Sequence, residues 1–159
     1  NYPFLRLVAR QGTPVLLSTG ASASDEVGAA IKVLESAGLP RSLMTVLQCT
    51  TEYPAPFPEA NLLAMVEMGK KWGVAVGFSD HTEGQDAGVA AVALGASVLE
   101  KHITLDKSMP GPDHAASLEP HEFAALVRRV RRAQQLRGKP EKTVTVSESK
   151  NRDIIRKSI

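Results

Sequence analysis

The sequence has little of what would mark a secreted, membrane or nucleotide-binding protein. It contains one cysteine, Cys49, so no disulfide can form within the chain, and a lone thiol fits a reducing compartment. The longest nearly apolar run, residues 87–99, is interrupted by glycine and is too short to span a bilayer. Neither a Walker A motif nor a dinucleotide-binding glycine motif is present, which argues against P-loop and Rossmann functions. We therefore expect a cytoplasmic globular protein with no membrane partner.

Aromatic residues are also scarce, at 4% of 159 residues, and this bears on an uneven distribution of charge. Residues 1–119 carry 8 basic and 13 acidic side chains, whereas residues 120–159 carry 11 basic and 4 acidic ones. Part of the basic excess is a group of four arginines, Arg128, Arg129, Arg131 and Arg132. Such a group could bind nucleic acid, but no aromatic residues lie between the arginines, as a single-strand binder would require. We favour a solvated helix face and expect no nucleic-acid partner.

Short apolar or β-branched runs alternate with longer amphipathic ones along the chain. The short runs predict four buried strands, at residues 14–18, 43–49, 74–79 and 97–102. The amphipathic runs predict one helix that ends near residue 10, one that begins at residue 24, and three at residues 59–72, 87–94 and 120–136. Repeated strand–helix units favour parallel strands joined by crossover helices. An open doubly wound sheet or half of a (β/α)8 barrel would both fit.

Polar residues follow the predicted strands where each strand ends, which is the edge at which both architectures place their sites. These segments are residues 18–20, 48–54, 79–82 and 100–102. Because side chains alternate along a strand, Ser79 and His81 share one face. For the same reason Glu100 shares a face with His102. Asp80 and Lys101 then point the other way, towards the helices.

His81 and His102 lie 21 residues apart, about one strand–helix unit, and should therefore emerge from neighbouring strands. Two imidazoles in that position could bind one divalent metal and leave coordination positions open for water and substrate. A single strand histidine is more often a hydrogen-bonded core residue, but two at equivalent strand ends favour a site. His114, in a loop, and His121, at a helix start, are expected to be ordinary surface residues.

Cys49 could be a nucleophile if a histidine lies close to it in space, but we favour a small buried thiol at a strand end. The hydroxyl groups at the strand ends could together hold an anion such as phosphate. They belong to Ser18, Thr19, Thr51, Tyr53 and Ser79. Each hydroxyl alone is a weak signal, since serine and threonine at strand ends often only cap the following helix.

Six phrases, in this order, resemble the N-acetylneuraminate (sialic acid) synthase family. They are LSTG at 17–20, CTTEYPAP at 49–56, FSDHT at 78–82, VALGA at 92–96, EKHITLD at 100–106 and MPGPDH at 109–114. The resemblance covers essentially all 159 residues. It implies the second half of a (β/α)8 TIM barrel, an α/β fold of four parallel βα units, over residues 1–138. Residues 139–159 would be a linker towards an absent antifreeze-like domain. The chain begins within a helical pattern, so we also expect the first barrel half to be missing.

The resemblance further implies the condensation of phosphoenolpyruvate with N-acetylmannosamine, or a related N-acylated amino sugar, to give N-acetylneuraminate and phosphate. It implies a divalent metal, Mn²⁺ or else Mg²⁺, bound by His81 and His102. Phosphoenolpyruvate would contact Ser18, Thr51, Tyr53 and Ser79. The catalytic residues near the substrate would be Glu100 and Asp113. A homodimer is also implied, and the 159-residue chain alone is expected to be inactive.

Two positions depart from the family pattern. Gln48 stands where a histidine is expected, and Thr51 stands where some members have asparagine.

Two alternatives to the neuraminate reaction remain open. One is the same chemistry on another sugar, as in a legionaminate or other nonulosonate synthase, and the other is a non-catalytic module that binds anions or nucleic acid.

Overall fold

Four parallel strands form one sheet in the computed structural model, which describes residues 1–156, and they pair in the order of the sequence. The strands are β1 (Val15–Ser18), β2 (Met44–Cys49), β3 (Ala75–Asp80) and β4 (Val98–Lys101). Each lies within one residue of the predicted run. An order that never reverses is that of a barrel wall, whereas a doubly wound sheet reverses at a switch point. The predicted half of a (β/α)8 barrel is therefore confirmed.

Helices precede, connect and follow the strands. They are α1 (Tyr2–Ala9), α2 (Ser24–Ser36), α3 (Leu62–Trp72), α4 (Asp86–Ala93) and α5 (Pro120–Arg137). The ends of α5 follow from local sequence. Pro120 occupies the first turn, where its missing N–H costs nothing, and the Glu119 backbone N–H donates to Glu122 Oε2 at 2.9 Å. Gly138 follows the last turn with a φ of 56°, which suits glycine.

The two faces of the sheet have different environments. On one face, Val46 of β2 packs with Ile31 of α2, and Phe78 of β3 packs with Met65 of α3; these four side chains are at most 1% exposed. This face, covered by helices, holds the hydrophobic core. The opposite face corresponds to the barrel interior, and there Leu16 of β1 is 55% exposed. Within the described residues, β1 and β4 are the two edges of the sheet.

Residues 139–156, most of the predicted linker, are exposed at every position. They include two one-turn helices, α6 (Val146–Ser149) and α7 (Arg152–Ile155), which the sequence did not predict. Residues 157–159 of that segment lie outside the described residues. No helix among residues 1–156 combines the length and apolar character needed to cross a membrane.

The four arginines of α5 are all exposed, as expected of a solvated helix face. One of them, Arg129, forms an ion pair with Asp86 at 2.9 Å and so joins α5 to α4. Another, Arg131, donates a hydrogen bond to Gln134 at 3.0 Å on the same helix.

Candidate active site

The two predicted metal-binding histidines lie side by side at the C-terminal ends of β3 and β4. His81 follows Asp80, the last residue of β3, and His102 follows Lys101, the last residue of β4. Their ring centroids are 5.1 Å apart, and the rings are nearly perpendicular at 78°. His81 is 7% exposed, whereas the His102 side chain is 34% exposed. The two imidazoles are therefore neighbours at the C-terminal edge of the sheet, as their spacing in the sequence predicted.

A backbone carbonyl fixes the tautomer of His81. Its Nδ1 lies 2.8 Å from the carbonyl oxygen of Thr50, in the loop after β2. Because a carbonyl can only accept, Nδ1 of the neutral ring carries the proton and Nε2 keeps its lone pair. Metal-binding histidines are commonly held in this way, with one nitrogen donating to a carbonyl and the other free for the metal.

Ser79 and Glu100 join the two strands beside these rings. The Ser79 hydroxyl donates to Glu100 Oε1 at 2.6 Å, and its oxygen lies 3.3 Å from His81 Nε2. The hydroxyl has one proton. Because the distance to Glu100 is shorter and the carboxylate is charged, Ser79 donates this proton in the hydrogen bond to Glu100 and not to His81. His81 Nε2 therefore remains available as an acceptor or ligand, and the Glu100 carboxylate is oriented beside it.

Tyr53 covers both histidines. Its ring centroid lies 4.2 Å from that of His81 and 5.2 Å from that of His102. The Tyr53–Pro54 peptide bond that follows is cis. Tyr53 is 36% exposed, and partial desolvation raises the pKa of its phenol, with Cys49, Asp113 and Glu100 raising it further. The phenol therefore stays protonated at neutral pH and can donate a hydrogen bond to a bound anion.

Asp113 approaches His102 from the long loop after β4. Its Oδ2 lies 3.7 Å from His102 Nδ1. The loop is held by a 2.7 Å hydrogen bond between Thr104 Oγ1 and His114 Nδ1. His114 was expected to be an ordinary surface residue, but it is half-buried, because the loop folds over the largely buried Thr104. The side chain of His121 is 78% exposed, as expected.

On the opposite face, Asp80 and Lys101 point away from the histidines, as the strand alternation predicted. Lys101 Nζ lies 3.2 Å from Asp80 Oδ2, and the two side chains are 1% and 0% exposed. Burial lowers the pKa of the Lys101 ammonium, and the Asp80 carboxylate counteracts this effect.

Six of the eight predicted site residues thus form one connected cluster: Tyr53, Ser79, His81, Glu100, His102 and Asp113. The other two, Ser18 and Thr51, are exposed, and no hydrogen bond among the described residues joins their side chains to the cluster. Thr51 lines a neighbouring cavity of about 710 Å³ between the β1–α2 loop and α3. Gln48, which departs from the family pattern, donates from Nε2 to the carbonyl of Ala60 at 3.2 Å.

Two groups in the cluster were not assigned to it from the sequence. Cys49 was expected to be a buried thiol, but it is half-buried, and its Sγ lies 3.9 Å from His81 Nδ1. Its register opposite Ser79 puts it on the face of the sheet that carries the site, a consequence of strand pairing. The Thr50 carbonyl had no signal in the sequence, since it is a backbone group whose direction depends on the loop.

The donor set fits a divalent cation that takes two protein ligands. No group of three or more His, Cys, Asp or Glu side chains in residues 1–156 is arranged to hold a metal. His81 and His102 nevertheless offer two imidazoles, one with its Nε2 lone pair free, and Glu100 and Asp113 supply negative charge beside them. Water or substrate oxygens would complete the coordination of such a cation.

Comparison with known proteins relates this arrangement to a family of synthases. The NeuB family model matches residues 1–142. The chain is 48% identical over 159 residues to N,N'-diacetyllegionaminic acid synthase of Campylobacter jejuni, covering 100% of this chain and 48% of that protein. It is 39% identical over 160 residues to N-acetylneuraminate-9-phosphate synthase of Mus musculus, covering 100% of this chain and 44% of that protein.

A solved structure agrees with these matches. The crystal structure of N-acetylneuraminic acid synthetase from Leptospira borgpetersenii superimposes with a TM-score of 0.87 at 30% identity, covering 98% of this chain and 54% of that chain. The chain spans about half the length of these relatives. The matched region contains all four strands and every residue of the cluster, and the chain belongs to the NeuB family.

Proposed function

We propose that this chain supplies half of the active site of a nonulosonate synthase that condenses phosphoenolpyruvate with an N-acylated amino sugar. The observation that supports this most strongly is the connected cluster around His81 and His102, at the C-terminal ends of the barrel strands. Relatives that match almost the whole chain are synthases of legionaminic, pseudaminic and sialic acids. The six sequence phrases that resemble the N-acetylneuraminate synthase family, and the order in which they occur, also support the proposal.

The proposed reaction joins two carbon skeletons and releases phosphate. C3 of phosphoenolpyruvate forms a bond with the aldehyde carbon of the open-chain sugar, whose oxygen gains a proton and becomes a hydroxyl. The oxygen of a water molecule adds at C2, where positive charge develops, and one of its protons accounts for the proton that the aldehyde oxygen gains. The C–O bond between C2 and the phosphate then breaks, the second proton leaves with the phosphate, and the products are the keto acid and inorganic phosphate.

The residues of the cluster would divide this work. Mn²⁺ or Mg²⁺, held by His81 and His102, would supply Lewis-acid polarisation of the aldehyde oxygen. The Glu100 carboxylate, which Ser79 orients before phosphoenolpyruvate binds, and Asp113 would stabilise positive charge at C2. The protonated Tyr53 phenol would donate to the phosphate.

Other groups would complete the phosphoenolpyruvate site. Ser18 and Thr51 remain proposed ligands of this substrate. A contact from Ser79 to the phosphate would replace its hydrogen bond to Glu100.

The identity of the sugar substrate is the more specific part of the proposal. Two legionaminic acid synthases match the chain at 48% and 38% identity and a neuraminate-9-phosphate synthase matches it at 39%, so N-acetylmannosamine and a legionaminate precursor are both candidate sugars. We also propose that the protein acts as a cytoplasmic homodimer. A module that only binds anions is the other candidate, and it would not require the paired histidines.

Phosphate release is the direct test. The full-length protein, supplied with Mn²⁺ and phosphoenolpyruvate, is assayed against a panel of N-acylated hexosamines, with the product identified by mass spectrometry. We expect sugar-dependent release of phosphate and a nine-carbon keto acid from one class of sugar. The His81→Ala variant should lose this activity, and the His121→Ala variant, altered at an exposed histidine, should keep it. Absence of phosphate release with every sugar, or full activity of His81→Ala, would reject the proposal.

A further inference from the structure

The residue that precedes each site histidine belongs to a buried ion pair on the other face of the sheet. Asp80 and Lys101 are paired in register on β3 and β4, with Nζ and Oδ2 3.2 Å apart. Because side chains alternate along strands, His81 and His102 can face the site only if Asp80 and Lys101 meet behind it. The ion pair and the pair of histidines are therefore two sides of one strand pairing.

Thr82 extends this pair around the backbone of His81. Asp80 Oδ1 accepts two hydrogen bonds from Thr82, from the backbone N–H at 2.9 Å and from the hydroxyl at 2.7 Å. Lys101 Nζ also donates to the Thr82 carbonyl. Thr82 and Asp80 are both 0% exposed. Hydrogen bonds between Asp80 and Thr82 thus fix the backbone on both sides of His81, and Lys101 connects this segment to the end of β4.

Helix α4 approaches this network closely at Gly88. A Cβ on Gly88 would lie 3.3 Å from Asp80 Oδ2 and 2.9 Å from Leu99 Cδ2. A side chain there would require the end of the Leu99 side chain to move and would crowd the Asp80 carboxylate. The close approach of α4 therefore encloses the Asp80 carboxylate and keeps it from water.

Stability alone gives a weak reason for charges in this position. Removing two charges from water is costly, and well-packed apolar residues in place of a buried ion pair are often as stable or more so. An apolar pair would fill the space, but it would fix neither the direction of the strand ends nor the turn at Thr82. The hydrogen bonds that Asp80 Oδ1 accepts from Thr82, and the one that Lys101 donates to the Thr82 carbonyl, are directional and fix both.

We propose that Asp80, Thr82 and Lys101 are positioning residues, which set the distance and angle between the His81 and His102 rings. Metal affinity would then depend on a network that never touches the metal. The part of this inference that concerns metal rests on the proposed function, whereas the part that concerns ring geometry does not.

The test uses the full-length protein with both charges replaced by apolar residues, as Asp80→Leu/Lys101→Met. The matched control, Glu35→Gln/Arg41→Gln, lies before the N-terminal end of β2 and removes an ion pair with side chains 45% and 42% exposed, together with the hydrogen bond from Arg41 to the Trp72 carbonyl. Three quantities are measured on metal-stripped protein: the melting temperature, the dissociation constant for Mn²⁺ from the EPR signal of the free ion, and the histidine ring ¹H–¹⁵N spectrum.

We expect the charge-free variant to melt within about 3 °C of the wild type and to bind Mn²⁺ at least about tenfold more weakly, as loss of supporting groups does at other metal sites. The His81 ring should lose its fixed position against the Thr50 carbonyl and should therefore show both tautomers in place of one. The control should match the wild type in Mn²⁺ affinity and in its ring signals. A folded variant with wild-type Mn²⁺ affinity and unchanged ring signals would overturn the proposal.

Two further outcomes are also decisive. If the charge-free variant does not fold, Thr82→Val decides, because it keeps both charges and removes one hydrogen bond. It should bind Mn²⁺ about threefold more weakly, and unchanged affinity with unchanged His81 signals would reject the proposal. If the wild-type protein binds no Mn²⁺, the proposed metal site fails, and the ring spectra alone then decide whether the network positions the histidines.

Discussion

The hydroxyl oxygen of Ser79 lies 2.6 Å from Oε1 of Glu100, across the boundary between β3 and β4. The two residues are register partners in the sheet, so strand pairing itself brings them together. This hydrogen bond connects the β3 side of the site, with His81, to the β4 side, with His102. The cluster is therefore built from the sheet, with Tyr53 and Asp113 added from loops.

Ser79→Ala tests the role of this hydroxyl in substrate binding. The variant should bind phosphoenolpyruvate more weakly by about 0.5–3 kcal/mol, because a hydrogen bond to a charged oxygen is lost. Isothermal titration measures the change. Ser97→Ala is the matched control, since Ser97 donates to the Val76 carbonyl near the other end of β4. Equal affinities for Ser79→Ala and wild type would remove Ser79 from the phosphoenolpyruvate site.

Tyr53→Phe separates the ring of Tyr53 from its hydroxyl. The ring contacts with His81 and His102 should persist, while the donor to phosphate is lost. We expect a higher KM for phosphoenolpyruvate with little change in melting temperature. Tyr53→Ala, which removes the ring as well, should weaken Mn²⁺ binding in addition. If Tyr53→Phe has the wild-type KM, the hydroxyl does not contact this substrate.

How much of this site follows from the sequence depends on which groups form it. Side chains on strands follow the two-residue period, so the facing of His81, His102, Asp80 and Lys101 could be predicted. The adjacency of the two histidines followed from their separation by one strand–helix unit. These inferences need only regular geometry, and the observed strands lie within one residue of the predicted ones.

Groups that depend on loop conformation could not be predicted. The Thr50 carbonyl orients His81, and the Thr104 hydroxyl holds His114, but no residue pattern specifies the path of either loop. The contact of the tilted Tyr53 ring with both histidine rings has the same origin. Ser18 and Thr51 are a different case. Their residue types and strand-end positions predicted an anion site, but no described hydrogen bond joins their side chains to the cluster.

Glu122 predicts a pH dependence of stability. Its pKa is lowered from 4.5, first by the hydrogen bond from Lys107 and then by the backbone N–H of Glu119. A carboxylate with a lowered pKa stabilises the fold above its unfolded pKa, and this contribution is lost as pH falls through the folded pKa. Glu122→Gln should therefore cost about 0.5–1 kcal/mol at pH 7 and almost nothing well below pH 4.5.

Urea denaturation of the wild type and Glu122→Gln at neutral and acidic pH checks this prediction. Glu141→Gln, at an exposed position in the segment after α5, is the control and should be neutral at both pH values. An undiminished difference between wild type and Glu122→Gln in acid would show that the charge of Glu122 is not the cause.

The 159-residue chain by itself should associate. Among the described residues β1 and β4 are sheet edges, whose backbone groups invite pairing with another chain. The face opposite the helices also carries the 55% exposed Leu16. Light scattering on the purified chain should show a homodimer, which we expect to approximate a closed barrel. This homodimer should have no synthase activity. A monodisperse, cooperatively folding monomer would contradict this expectation.

Binding of Mn²⁺ to the full-length protein tests the central claim most directly. Titration of metal-stripped protein should show one site per chain in the wild type and in His121→Ala, whose histidine is exposed. The same site should be absent from His81→Ala and from His102→Ala, with both variants still folded. Equal Mn²⁺ binding by the wild type and by folded His81→Ala or His102→Ala would contradict the account.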